Sequence, residues 1–492
     1  MSQVKAISRI MALGFVLDVK AYDLIVGLPQ ESDVDGLMEK LLEQKGGAKA
    51  EVKRITEDDV RRALPAEPSS VGMELPPVLG QEPEMEMMSD PTQSIAPIEA
   101  LEGYSRLFRD RYDRLLSVVR KRPDTKGVGT TATGRNMAQG QKMKVAGLIS
   151  NKVHRKSGVE VTIDDPSGTL RVTCRDEGVV KSALEAPLDS MVVMEVSRSK
   201  SGQLYADSLM LPDVPDRRVS SGSHRVYAVL LSDLHVGSKM FLADDFQRFV
   251  LWINGKLGDL DVVNRIKYVV VAGDLIDGVG VYPGQEFQLA ERDPKKQYET
   301  AAKLLEELPS HVQIIVSPGN HDAVRQALPQ PAVSADIAES LYRMENVRLV
   351  GDPAYVKLHG VTFLVYHGKS LDDIIATTPD LSYNKPTDAM KLLLRSRHLA
   401  PTYGKRTALS PELRDFMVVD PVPDVFHSGH VHTYGELNYR GTLVVNSGTW
   451  QAQTSFQVNM GLEPTPSIIP VVDLSNVSVI RRNFGAAAFP AA

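Results

Sequence analysis

The sequence predicts a multi-domain α/β protein in which a small helical domain and a small β-barrel precede a layered α/β domain. Three observations carry that reading. At 492 residues the chain exceeds one ordinary core. Between Met143 and Leu211, five short β-type runs follow one another. From about residue 225 to 485, apolar β-rich runs alternate with helical patterns.

Residues 1–64 read as a small helical domain. Val34, Leu37, Leu41 and Leu42 recur at helical spacing, and Thr56–Leu64 gives a further short helix opened by a Thr-x-x-Asp cap. Residues 65–97 change character. Pro, Glu, Met, Ser and Gly dominate there without an apolar period, which predicts a flexible linker. A helix and connector follow over 98–138. Leu101, Tyr104, Phe108, Tyr112, Leu115 and Val119 share one stripe of a helix from Ile98 to Arg122, and Pro123 stops it.

Residues 139–215 hold the five β-type runs: Val145–Ile149, Val159–Ile163, Leu170–Thr173, Met191–Val196 and Tyr205–Leu209. Asp164–Gly168 makes a tight turn between the second and third. Five short strands in so few residues suit an OB-fold barrel, an architecture that often binds single strands. Docking of a partner is an equally open role for it.

Residues 225–485 form the layered domain. Val226–Leu231, Ile266–Ala272, Val312–Val316, Val361–Tyr366, Val425–Phe426 and Thr442–Val445 are its apolar runs, with helical patterns such as Asp245–Lys256 and Lys295–Leu308 between them. Catalytic groups in such folds lie just past the strands' C-terminal ends. Near the end of the domain, Pro464, Pro466 and Pro470 stand among Ile468, Ile469, Val471 and Val472. Prolines keep such a segment extended and out of a central strand. The apolar side chains of Met460–Leu474 then need cover, from a second protein or from the domain itself.

Composition excludes several classes. Hydrophobic content of 42% and charged content of 24% are those of a soluble globular protein. A single cysteine, Cys174, cannot form an internal disulfide and reads as a small buried hydrophobe in an intracellular chain. The apolar stretch Ile10–Leu17 ends at Asp18 and Lys20 with no small-residue cleavage site, so it reads as an amphipathic helix rather than a signal peptide. Nothing else approaches a membrane span, and a cytoplasmic protein is expected. A net charge of −6 argues against indiscriminate nucleic-acid binding by the whole surface. Local basic patches remain: Arg120–Arg122, Lys152–Lys156 and Lys405–Arg406.

Five segments, each at the end of an apolar run, concentrate the chemistry. They are Asp233-Leu234-His235, Gly273-Asp274, Gly319-Asn320-His321-Asp322, His367-Gly368 and Gly429-His430-Val431-His432, and they hold five of the chain's 11 histidines. Strand alternation points Asp233 and His235 to one side, and Gly-His-x-His places two imidazoles on one face. Gly273 leaves room for a metal to approach Asp274. Carboxylate, imidazole and amide oxygen suit Mn²⁺, Zn²⁺ or Fe, and a bridging carboxylate holds a pair at roughly 3.5–4 Å. Two divalent ions with two aspartates and a hydroxide keep a residual positive charge, as a phosphodiester anion requires. Their bound water ionises near neutrality, so no side-chain base is needed. One Asp-x-His or Gly-Asp alone carries no weight; five such segments in this order do.

That order resembles the calcineurin-like metallophosphoesterase superfamily over about residues 225–450. The resemblance implies a β-sandwich core with flanking helices and a dinuclear site at one edge. It matches Asp233, His235, Asp274 and His432 to the ligands of one metal. Asp274 as bridge, Asn320, His367 and His430 match those of the other, and His321 matches a catalytic histidine that contacts the phosphate and assists the leaving oxygen. Longer stretches narrow the field. Gly273–Gln285, Ser317–Pro331 and the tail with Gly461, Pro464, Pro466 and Pro470–Leu474 resemble the small subunits of archaeal family-D DNA polymerases. Related eukaryotic polymerase B-subunits share the architecture without all the ligands, whereas every matched ligand is present here.

What this second resemblance implies is a part in DNA replication. The chain is expected to be a proofreading 3′→5′ exodeoxyribonuclease with two divalent ions, manganese first, with zinc, iron or magnesium as alternatives. Its expected partners are a large polymerising subunit, bound as a heterodimer, and DNA with a single-stranded 3′ end. The barrel and Met460–Leu474 are the expected contributors to the subunit interface. Two competing readings are a scaffold with a vestigial metal site and a free-standing protein phosphatase or nucleotidase. The helical and barrel modules count against the last, since small substrates need neither.

Overall fold

The computed structural model describes residues 7, 11, 15–26, 37, 40–41, 54–63, 82–95, 100–218 and 225–486. Near the N-terminus, β1 (Val16–Leu17) pairs in parallel with β2 (Arg54–Ile55), beside the helices Val19–Val26 and Glu57–Ala63. The helical reading of Ile10–Leu17 is thus corrected at its end. Leu17 and Ile55 are drawn into one small core with Ile25, Leu37, Leu41 and Val60, and that pairing overrides the local helical pattern. Thr56 and Asp59 form the expected reciprocal cap, Thr56 N donating to Asp59 Oδ2 at 2.9 Å and Asp59 N to Thr56 Oγ1 at 3.4 Å. Val34, Leu42 and Leu64 lie outside the described residues.

The linker reading fails at one place. Met85–Ser89 form β3, which pairs with a strand 270 residues later, Val356 opposite Met87 and Lys357 opposite Glu86. Met85 and Met87 alternate with Glu86 and pack inward. Five residues at a sheet edge carry almost no signal of their own; the partner strand supplies the structure. Residues 65–81 and 96–97 lie outside the described residues.

The helix Ala100–Arg120 is a bracket. Tyr112, Leu115, Leu116 and Val119 pack on Ala146, Leu148, Met191 and Val193 of the barrel. On the same helix Arg111, fully buried, donates from Nε to Asp415 Oδ2 at 2.7 Å and from Nη1 to Pro401 O at 2.7 Å in the C-terminal domain. His398 Nε2 lies 2.9 Å from the same Asp415 oxygen. The barrel consists of β4 (Lys142–Arg155), β5 (Gly158–Asp165), β6 (Gly168–Cys174), β7 (Met191–Arg198) and β8 (Leu204–Met210), closed in the order β4-β5-β6-β8-β7. The helix Glu177–Glu185, capped by Asp176, fills the connection from β6 to β7. Cys174 is buried.

Two six-stranded sheets build the C-terminal domain. The first, in the order β12-β11-β10-β9-β18-β19, contains β9 (Tyr227–Leu231), β10 (Ile266–Ala272), β11 (Gln313–Ser317), β12 (Val347–Leu349), β18 (Ile468–Asp473) and β19 (Ser478–Asn483). The second, in the order β16-β17-β15-β14-β13-β3, contains β13 (Ala354–Leu358), β14 (Val361–Val365), β15 (Val425–Ser428), β16 (Tyr434–Tyr439) and β17 (Thr442–Ser447). Ala228, Leu230, Tyr268 and Val270 face Val356, Phe363, Val365 and Val445 across the interior. On the outer face of the first sheet, Val229, Val269 and Val271 pack on the helices Ala243–Ile253 and Pro294–Glu306. Leu364, Phe426 and Val444 of the second pack on Leu371–Thr377 and Pro386–Ser396. Burial on both faces explains why these strands are unbroken apolar runs instead of alternating ones.

The proline-rich segment corrects a second expectation. Ile468–Asp473 is an inner strand, with β9 on one side and β19 on the other. Ile469, Val471, Val472 and Leu474 are buried within the domain. The ladder with β9 begins at Val471, one residue after Pro470, so the missing N–H breaks no bond to that neighbour. For these four side chains the cover comes from the domain's own core, while Ile468 is half-buried and Met460 is exposed.

Candidate metal centre

β9, β10 and β11 run in parallel in one sheet, and β14 and β15 run in parallel in the other. Their C-terminal ends meet at one edge of the sandwich, and all five segments lie there. Asp233 and His235 follow β9, Asp274 follows β10, and Asn320 and His321 follow β11. His367 follows β14, and His430 and His432 follow β15.

Strand alternation does not orient Asp233 and His235, which lie past the strand end. Asp233 (φ 52°), His235 (53°), Asp274 (51°), His430 (72°) and His432 (59°) all take the left-handed conformation. Asp and His tolerate it better than most residues, at a cost of order 1–3 kcal/mol each. The surrounding loops hold these turns by backbone bonds: Asp233 N to Gly273 O at 3.0 Å, His235 N to Asp274 O at 3.1 Å, and Trp450 N to Asp233 O at 2.9 Å. Two glycines allow the close approach. A Cβ at Gly273 would overlap the His367 ring, and one at Gly429 the Asp233 carboxylate.

The side chains converge on two buried carboxylates. Asp233, His235 and His432 form one group whose donor atoms lie within 4.8 Å of one another. Asp233, Asp274 and His367 form a second, and His235, Asp274 and His321 a third. His432 Nε2 is 3.3 Å from Asp233 Oδ1 and 3.0 Å from His235 Nε2. His367 Nε2 is 3.3 Å from Asp274 Oδ2 and 3.1 Å from Asn320 Oδ1. His430 stands apart. Its ring centroid is 5.1 Å from that of His367, but its Nε2 faces Asp372 Oδ2 at 3.2 Å.

The outer nitrogens of three rings are tied down. His235 Nδ1 donates to Asp277 Oδ1 (2.9 Å), His367 Nδ1 to Ala272 O (2.9 Å), and His321 Nδ1 to Asp277 O (2.7 Å). Each neutral ring then turns a bare Nε2 toward the centre, the tautomer that a metal ligand requires. His432 differs, because the Gln457 amide donates to its Nδ1 at 2.8 Å while Thr454 N holds the amide oxygen. With two deeply buried carboxylates at the focus, this donor set fits divalent cations.

Electrostatics agree. Burial alone would raise Asp274, but the neighbouring His367, His321 and His235 outweigh it and hold the carboxyl well below its usual range. Burial disfavours the His367 imidazolium, yet Asp274 and Asp233 push its pKa up to about 10. Protons here do the work of cations, and a bound metal would displace them. Burial lowers His321. His321 and His430 side chains are each 14% exposed, while Asp233, Asp274 and His367 are at 2% or less, so the site opens to solvent between those two rings.

Several supporting residues were not legible in the sequence. Asp277 orients both His235 and His321, Asp372 holds His430, and Gln457 holds His432. Asp322 accepts from Gly319 N and Tyr298 OH, each at 2.8 Å, and so fixes the turn that carries Asn320. Asp322, inside the Gly319–Asp322 segment, and Asp277, three residues beyond Asp274, had positional signal; Asp372 and Gln457 had none.

Comparison with known proteins places the sequence in a family. Residues 228–435 match the family model for the B-subunits of DNA polymerases alpha and epsilon. The chain is 37% identical over 471 residues to the DNA polymerase II small subunit of Archaeoglobus fulgidus, covering 94% of each. The chain belongs to the DNA polymerase II small-subunit family. A second member of that family, from Pyrococcus furiosus, is 38% identical over 387 residues. That alignment takes in 77% of this chain and 63% of the relative, so this chain spans a little under two thirds of the longer family member. Among solved structures, an archaeal phosphodiesterase aligns with 52% of this chain and 99% of its own at 14% identity, with a TM-score of 0.27. No described helix is long and apolar enough to cross a membrane.

Proposed function

We propose that this chain is a metal-dependent 3′→5′ exodeoxyribonuclease, the proofreading subunit of a family-D DNA polymerase, acting beside a large polymerising subunit. The observation that carries the reading is the convergence of Asp233, His235, Asp274, His367 and His432 at one sandwich edge, in a member of the DNA polymerase II small-subunit family. A single His–Asp pair would not support it; a buried constellation gathered from separate strand ends does.

Asp233, His235, Asp274 and His432 would hold one divalent ion, and Asp274, Asn320, His367 and His430 the second; His430 would turn from Asp372, and His432 would give up the Gln457 bond so that its Nε2 carries the lone pair. Manganese suits this mixed set of oxygen and nitrogen donors. When bound, the pair supplies an ionised water and offsets phosphate charge. The chain's own groups do the rest. Asp277 keeps the His235 lone pair inward. His321, at the solvent-facing side, receives the phosphodiester. With Nδ1–H committed to Asp277 O, its Nε2 donates only when the ring is cationic, and an arriving phosphate anion favours that form. Its proton then passes to the leaving 3′ oxygen.

The barrel order β4-β5-β6-β8-β7, with a helix between its third and fourth strands, supports the OB-fold reading. The test compares, in Mn²⁺, release of the terminal nucleotide from a 3′-mismatched primer with hydrolysis of a phosphoserine peptide. The reading expects the first alone. Peptide hydrolysis without nucleotide release would overturn it.

A further inference from the structure

The loop Thr402–Thr407 stands between the barrel and the metal centre and is pinned at both ends. On the barrel side, Tyr403 N donates to Asp189 Oδ2 at 2.9 Å, and Thr402 Oγ1 to Leu188 O at 3.4 Å. On the other side, the N–H groups of Arg406 and Thr407 donate to the two oxygens of Asp373 at 3.0 and 2.9 Å. The adjacent residue, Asp372, is the one that holds His430. Thr407 Oγ1 also reaches Lys369 O at 3.4 Å, two residues past His367.

Between these anchors, Tyr403, Gly404, Lys405 and Arg406 are all exposed, whereas Thr402 and Thr407 are buried. Tyr403 is 41% exposed although Tyr104 and Phe108 prop its ring, each with a centroid 5.2 Å away. The acids around the loop accept from backbone or from other side chains, although against burial the His430 ring and also the Arg406 charge help to hold the Asp372 carboxyl down. Asp373 takes two backbone N–H groups, Asp189 takes one, and Asp372 takes His430 and the Tyr383 hydroxyl. An aromatic ring and two cations on a fixed backbone form the elements of a single-strand binding track. The centre of a protein interface, by contrast, is depleted in lysine.

Resting on the exonuclease reading above, we propose that Tyr403–Arg406 guides single-stranded DNA from the barrel to the metal centre. Tyr403 stacks on a base, and Lys405 and Arg406 meet successive phosphates. This gives a role to the Lys405–Arg406 patch, which net charge alone left unexplained.

Fluorescence anisotropy of a labelled oligodeoxythymidine with the full-length chain in EDTA separates binding from hydrolysis. Removing two phosphate contacts with Lys405→Ala/Arg406→Ala should flatten log K against log salt by about 1.4, at about 0.7 per phosphate. The backbone bonds to Asp373 survive that change. Tyr403→Ala should weaken binding about 5- to 150-fold, and Tyr403→Phe should retain it. In Mn²⁺, the double variant should raise KM for the oligonucleotide and leave hydrolysis of bis(p-nitrophenyl) phosphate, too small to reach the loop, at the wild-type rate. An unchanged salt slope with unchanged KM overturns the proposal. So does intact DNA binding with lost assembly onto the large subunit, which would assign the loop to a protein contact. Failure of the wild-type chain to hydrolyse either substrate would overturn the exonuclease reading instead, and the EDTA measurement would still decide the loop.

Discussion

Replacing Asp277 with asparagine removes one charge from a group that never touches the substrate, and it should cost metal affinity. Asp277 Oδ1 accepts from His235 Nδ1 at 2.9 Å and from Gln451 Nε2 at 3.2 Å, while Gln285 Nε2 donates to the backbone oxygen at 2.7 Å. An asparagine keeps the volume and the backbone bond. Its amide turns either a weaker oxygen or an N–H toward His235. In the second case the ring must carry its proton on Nε2, where a cation would bind. Losing such a partner of a ligating histidine weakens metal binding about 10- to 100-fold, which corresponds to about 1.4–2.7 kcal/mol. Calorimetric titration of Mn²⁺ into the metal-stripped chain reads the change directly, and thermal unfolding in EDTA checks that the fold survives. An affinity within twofold of wild type, with the fold intact, would refute the idea that Asp277 sets the His235 tautomer.

Asp274→Ala should abolish hydrolysis and lower metal content while the chain still folds in EDTA, with reduced stability because the low carboxyl pKa makes Asp274 stabilising in the metal-free protein; a near wild-type rate in Mn²⁺ would dispose of the shared-carboxylate assignment. His321→Ala should slow turnover about 10²–10⁴-fold at unchanged metal content, and a parallel fall in metal content would make His321 a ligand. Asp415→Ala leaves Arg111 buried without its partner, so chemical denaturation should show a loss of about 3–5 kcal/mol. Burial works against the Asp415 carboxylate, but His398 and Arg111 hold its pKa far below the usual value. The stabilisation it gives is therefore complete above about pH 4 and fades as acid protonates it. Wild-type stability should decline more steeply through that acid range than the variant's, which keeps only the slope from the other depressed carboxylates.

The ends of the apolar runs were readable because burial on both sheet faces leaves a long hydrophobic signature, and each stops where Asp233, Asp274, Asn320, His367 or His430 begins. That signature placed the segments at one edge. It could not show how each side chain is aimed, since φ near +50° is invisible in composition. β3 escaped notice because five alternating residues inside a Pro- and Glu-rich stretch become a strand only when β13 offers its edge. Pro470 misled for a related reason: a proline argues against an inner strand only if its N–H is required, and the β9 ladder starts one residue later. His430 facing Asp372 was likewise out of reach, because Asp372 lies on a helix with no pattern linking it to the Gly-His-x-His segment.

The left-handed turns restrict which amino acids can serve at this site. A residue at position 233 or 274 must donate an oxygen and also accept a positive φ. Aspartate does both, and here its short side chain also accepts backbone N–H groups from other segments of the site, Asp233 from His430 N and Asp274 from His321 N. Glutamate offers the same carboxylate with one more methylene, which shifts the oxygen off the His430 and His321 N–H groups and toward space that His367 and His432 occupy. The usual conservative exchange of one acid for another is therefore closed here by the backbone, before any question of metal preference arises.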